Sequence, residues 1–124
     1  MSNILLTRNY QAEAAIAAFS PVKFGSVDGK VLVAVLPTDK IIGVTTDIAA
    51  AIGERCDVVV SGRVDIVYGA AVTRGDLLTA DATGRAVTAA PAAGVNNRII
   101  GTASVSGVAG DIGACDIYPS MLQG

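Results

Sequence analysis

Short apolar runs broken by glycine, proline and aspartate make up most of this chain. Val22-Lys23-Phe24 alternates, and Gly25-Ser26-Val27-Asp28-Gly29 follows it with turn chemistry. Lys30 to Leu36 reads as a buried strand ended by Pro37-Thr38-Asp39, and Ile41 to Thr45 as the next one. Cys56 to Ser61 is a further strand. After Gly62, the run Arg63-Val64-Asp65-Ile66-Val67-Tyr68 puts Val64, Ile66 and Tyr68 on one face and Arg63 and Asp65 on the other. Gly69 to Thr88 reads as small strands and turns, with Asp81-Ala82-Thr83-Gly84 the clearest turn. Ile99 to Ser106 and Asp116 to Tyr118 complete the set. No segment carries a long apolar stripe at helical spacing. Thr46 to Gly53 is expected to be a linker or one short helical turn.

The first twenty residues read differently. Tyr10 to Phe19 is rich in alanine, which favours a helix, but a short isolated helix is marginal without packing partners, and Pro21 stops it. The pattern is weak in either period. Residues 1–21 are therefore expected to form an extended N-terminal arm ordered against another surface, ahead of a β domain at residues 22–124. An edge strand or a first helix on the core is the alternative. Ile4, Leu5, Leu6, Tyr10, Ile16 and Phe19 are the arm's apolar anchors.

One internal similarity stands out. Lys40-Ile41-Ile42-Gly43 recurs as Arg98-Ile99-Ile100-Gly101, and Cys56-Asp57-Val58 as Cys115-Asp116-Ile117. Two copies do not make a solenoid. They predict two similar strand–turn–strand units in one small barrel-like domain, and such units packed face to face would bring Cys56 and Cys115 near each other.

Composition agrees with an all-β chain. Of 124 residues, 52% are hydrophobic and only 16% charged, and 14 glycines separate runs of Ala, Val and Ile. A chain of this length buries enough surface to fold as one domain without staples. The net charge is −2 and the nine basic residues are scattered, so the basic footprint of a nucleic-acid binder is missing. No apolar run reaches the roughly 18 residues of a membrane helix, and no secretory leader is recognisable at the start, so no membrane partner and synthesis in a cytosol are expected.

Candidate chemistry is sparse. The absence of histidine removes Ser-His, Cys-His and metallo-His sites, and two separated cysteines do not make a metal motif. The eleven carboxylates are spread along the chain, mostly in turns. Gly25 to Val31 resembles a phosphate loop superficially. It has three residues between its glycines where four are needed, and Val31 stands where a hydroxyl must hold magnesium. No catalytic, cofactor or metal site is expected.

Three stretches together resemble a known family. They are Lys23-Phe24-Gly25 with Lys40 to Val44; Gly69 to Val87, containing Thr73-Arg74-Gly75-Asp76-Leu77-Leu78-Thr79-Ala80-Asp81; and Arg98 to Ala103 with Gly110-Asp111-Ile112. In this order they are similar to the capsid cement proteins of the DUF2190 type, small head proteins of tailed phages. The likeness spans roughly residues 22 to 118. It implies a β-barrel-like fold of the β-clip or β-tulip kind. It also implies a non-enzymatic decoration protein on the outer capsid surface that binds the major capsid protein, commonly as a homotrimer. The arm residues would then be capsid contacts. The competing reading is a virion-borne β module for a host-surface or carbohydrate ligand, which the low aromatic content (4%) disfavours.

Overall fold

The strongest strand signal in the chain, around Val58 to Val67, becomes its longest strand. The computed structural model describes residues 3–124. It contains β1 (Asn3–Ala12), β2 (Pro21–Phe24), β3 (Lys30–Val33), β4 (Ile41–Thr45), β5 (Arg55–Val67), β6 (Leu77–Ala80), β7 (Ala86–Thr88), β8 (Asn96–Ala103) and β9 (Ile112–Gln123). No helix occurs among the described residues. The strands are hydrogen-bonded in the order β1-β3-β2-β4-β5-β9-β8-β6-β7, and β1 also pairs with β5. The first five strands therefore close a small ring. The last five nearly close a second one, where Tyr68 at the end of β5 bridges to Ala86 in β7. The expected all-β, barrel-like architecture is present, with β5 shared by both rings. The helical turn considered for Thr46 to Gly53 does not form. The backbone of Ala50 instead exchanges two hydrogen bonds with Ile16, at 2.8 and 2.9 Å.

The two rings are copies of one plan. In the first lobe β2 pairs with β3 and β4, β4 with the first half of β5, and that half with β1. In the second, β6 pairs with β7 and β8, β8 with β9, and β9 with the second half of β5. Loop hydrogen bonds repeat as well. Ile16 and Ala50 bond reciprocally as Val72 and Gly107 do, and Gly53 N–H donates to Ala12 O as Gly110 N–H donates to Tyr68 O. The duplication seen in the sequence is thus real and longer than the motifs that betrayed it. At Gly43 and Gly101 an added Cβ would strike the backbone of the facing strand, at Val59 and Asp116 respectively, so these corresponding glycines allow the same close approach.

The cysteine part of that similarity is displaced. Tyr10 opposes Cys56 in β5, and its counterpart Ile66 opposes Gly113. Cys115 instead opposes Val64 and corresponds to Val58. The two thiols are free and lie in different cores. The local resemblance Cys-Asp-Val/Ile is shifted by two residues relative to the ladder, which keeps the side-chain face but not the position.

Each lobe has its own apolar cluster. The first gathers Ala12, Ile16, Val22, Val31, Ala50, Cys56 and Val58. The larger, second cluster centres on Val64, Ile66, Tyr68, Leu78 and Ile100, and draws in Ala34, Ile41 and Val44 from the first lobe. This shared packing welds the lobes together. Val59 and Val64 both belong to the second cluster, although an odd spacing would put them on opposite faces of a regular strand. Gly62, at φ +101°, and register shifts in the facing β1 lie where the strand changes face.

The N-terminal segment is extended, as expected, but it lies along its own chain. β1 runs antiparallel to β5 from Asn3↔Arg63 to Gln11↔Arg55, and meets β3 at Gln11 and Ala12. Phe19, just before β2, is the one non-glycine residue with positive φ (+55°) among the described residues. Its counterpart in the second lobe is Gly75, at +94°. A large residue in this conformation costs about 1–3 kcal/mol. Phe19→Gly is therefore expected to leave stability within about 1 kcal/mol of the parent, since relief of that strain offsets much of the roughly 1.5–3 kcal/mol of burial a full aromatic can supply. Urea unfolding checks this, and a loss above about 3 kcal/mol would show that the ring's packing dominates.

Candidate functional site

Five carboxylates, Asp39, Glu54, Asp76, Asp81 and Asp111, are occupied in holding turns. Asp39 accepts from the amides of Val35 (2.9 Å) and Leu36 (3.1 Å) and pairs with Lys23 at 3.3 Å. Asp76 accepts from Thr73 N–H and the Thr88 hydroxyl, and Asp81 from the amides of Thr83 and Arg85. Glu54 and Asp111, at corresponding loop positions, accept from Ala51 and Val108. Apart from the Thr88 hydroxyl and the Lys23 pair, these are local side-chain-to-backbone bonds of the kind that favours Asp in turns. Partial burial raises the pKa of Asp39, but the two amides and Lys23 outweigh it and hold the carboxyl below its ordinary value.

The loop from Gly25 to Lys30 is the β2–β3 hairpin turn, closed by Gly25 N–H donating to Lys30 O at 2.7 Å. The Glu13 carboxylate sits against it, accepting from the hydroxyl and amide of Ser26, bonds that lower its pKa. An anionic side chain thus occupies the Ser26 amide of this loop. Among the described residues no three His, Cys, Asp or Glu side chains group to hold a metal. Burial pushes the Cys115 thiol up to about 12 and raises Cys56 as well, so neither is a ready thiolate.

The exposed apolar surface is more informative. Residues Asn3 to Asn9 of β1 are all exposed, so both faces of a strand meet solvent there. Ile4 is 44% exposed, Leu5 73% and Leu6 46%. The structure divides the six expected anchors. Ile4, Leu5 and Leu6 cluster on the free end of β1. Tyr10 and Phe19 are half-buried, with the Tyr10 ring packed edge-on against Phe24. Ile16 lies in the first core, 2% exposed, because its backbone is pinned to Ala50 and its side chain faces inward. It is not available to a partner. The end of β9 has the same character as β1. Tyr118 (74%) and Met121 (53%) are exposed on a strand paired to β8. The strand runs on past Tyr118, where the sequence pattern alone ends it at Pro119. An edge strand tolerates proline, and apolar residues beyond it were the available signal.

A two-lobed β body with apolar strand ends exposed near both termini is the architecture of a structural binding protein. The chain belongs to the phage cement protein family, whose sequence model matches residues 3–117. It is a capsid-associated decoration protein. Among solved structures it is similar to the head fiber gp8.5 N base of bacteriophage phi29, with a TM-score of 0.69 at 16% identity over 96% of this chain and 98% of that one. That likeness is one of fold. No curated protein matches the chain.

Proposed function

We propose that this chain is a non-catalytic cement protein of the DUF2190 type that binds the major capsid protein on the outer surface of the phage head. It is made in the host cytoplasm and acts as a homotrimer, without nucleic acid, membrane or cofactor. The observation that carries the reading is the family match over nearly the whole chain. The structure supports it through a strand end that exposes Ile4, Leu5 and Leu6 at once. The capsid-directed role expected of the 1–21 arm narrows to these three residues, since Ile16 serves the core and Tyr10 and Phe19 are partly covered. Many weak contacts per shell then add by multivalency.

The test is cosedimentation of purified protein with expanded capsids of its own phage that lack it. Saturable binding at a fixed ratio to the major capsid protein is expected. An absence of binding across salt and pH would overturn the reading.

A further inference from the structure

We propose that the outer face of the first lobe carries a weak binding site for a neutral sugar, which is held through two neighbouring hydroxyls in a cleft at Arg55. The site goes beyond the decoration reading and stands or falls apart from it.

A cleft of about 330 Å³ opens between the β2–β3 turn and the loop that leads into β5. Its size is at the lower end of the range for small-molecule sites, roughly 300–1,000 Å³. Gly29 and Gly53 form its two walls, at φ +83° and +81°, and a Cβ on either would meet nothing within 4 Å. The floor is the ladder between β1 and β5, where Gln11 opposes Arg55 and Asn9 opposes Asp57. Opposed residues, and those two apart along a strand, share a face. The four side chains are therefore presented together, and all four are exposed. Tyr10 and Cys56, between them, turn to the first core. Gln11 fixes both walls, its backbone N–H donating to Gly29 O at 2.9 Å and its Nε2 to Gly53 O at 3.0 Å.

The fold does not require this polar set. In the second lobe the corresponding pairs are Val67↔Ile112 and Asp65↔Ala114, so the same ladder forms there with Asp65 as its only polar member. Among the described residues neither Arg55 nor Asp57 is held in an ion pair. The cleft thus offers a guanidinium that only donates, a carboxylate that only accepts, and two carboxamides that do both. The two charges cancel, and Lys30, beside Gln11 in β3, is answered by Glu13. An anion in the cleft would lie against Asp57, and a cation against Arg55. A neutral molecule whose adjacent groups each donate and accept satisfies both, and the vicinal hydroxyls of a sugar ring are such groups. No aromatic platform adds to the contact, because the Tyr10 ring packs on Phe24. A single site is therefore expected to bind at about 1 mM, and many copies on one surface would raise the avidity. The shortage of aromatic side chains limits the strength of the contact and leaves its chemistry intact.

The experiment is an NMR titration of the nitrogen-15-labelled full chain with the methyl α-glycosides of glucose, mannose and galactose, beside glucuronate and inorganic phosphate. At least one neutral glycoside is expected to shift the Gly29 and Gly53 amides and the Asn9 side-chain amide saturably. Arg55→Ala and Asp57→Ala are each expected to weaken that binding about tenfold or more. Both positions are exposed, and circular dichroism checks that the fold is kept. The proposal is overturned if no neutral glycoside gives a saturable shift, if glucuronate or phosphate binds more tightly than all three, or if the variants bind like the parent. Cosedimentation reports separately, and Arg55→Ala is expected to load capsids as the parent does. Its failure to do so would place the cleft in the capsid contact and also overturn the proposal. Capsid binding without a sugar response would remove this site alone, whereas a sugar response in a protein that ignores capsids would remove only the decoration reading.

Discussion

Tyr68→Ala is expected to cost about 3–5 kcal/mol, the range for deleting a fully buried aromatic. Tyr68 is 0% exposed, and its ring fills the second core. Its hydroxyl donates to Val105 O at 2.7 Å, and Ala114 O lies at 3.3 Å, so the loss leaves polar groups unpaired as well as a cavity. The first lobe shows why the ring is needed. At the corresponding positions it has Ala12, Cys56 and Ala50, and the second lobe has Tyr68, Gly113 and Gly107. A Cβ on Gly107 or Gly113 would run into the Tyr68 ring. The same volume is filled in both lobes, once by three small side chains and once by one large one between two glycines. Gly113→Cys alone is therefore expected to be severely destabilising by overpacking. Combined with Tyr68→Ala it reproduces the first lobe's pairing, and the double variant should be more stable than the sum of the single losses predicts. Urea unfolding of the four proteins checks this. Additive losses would show that the two positions do not share one space.

Removing residues 1–20 is expected to unfold the first lobe. The segment supplies Ala12 and Ile16 to the core and the strand that closes the ring on β5. Two point changes separate this from any binding effect. Ile16→Ala should cost about 2–5 kcal/mol as a core deletion. Leu5→Ala, at 73% exposure, should stay within about 0.5 kcal/mol of the parent, as surface substitutions do. Thermal unfolding with amide hydrogen exchange on β4 and β5 reads both. A truncated protein that melts like the parent would show that β1 only rests on the body.

These two cases mark the limit of reading the chain by its pattern. Val64, Ile66 and Tyr68 are buried as their alternation requires, and the turn at Asp81–Gly84 forms where its residues predict, with Gly84 at φ +74°. The loop at Gly25–Lys30 is a hairpin, as its failed phosphate-loop spacing indicates. The stretch Glu13 to Phe19 was ambiguous for a physical reason. Its alanines fit a helix or a strand, and Ile16 is placed by an isolated bridge to Ala50, thirty-four residues away. No local period encodes such a bridge. The cysteine similarity misled because three matching residues look alike at a shift of two, and the pleat hides that shift.

By itself, the sequence determined that the chain is all-β and that it contains two related units. Those properties are set by residue type and short-range alternation. Only the tertiary structure decided that the duplication covers both whole lobes with β5 common to them. It also decided that the N-terminal segment is a strand of the first lobe, and that Ile16 faces inward while Ile4, Leu5 and Leu6 face out. Those outcomes depend on which distant strand each segment meets, and hydrogen bonds between strands are made by backbone groups that every residue carries alike.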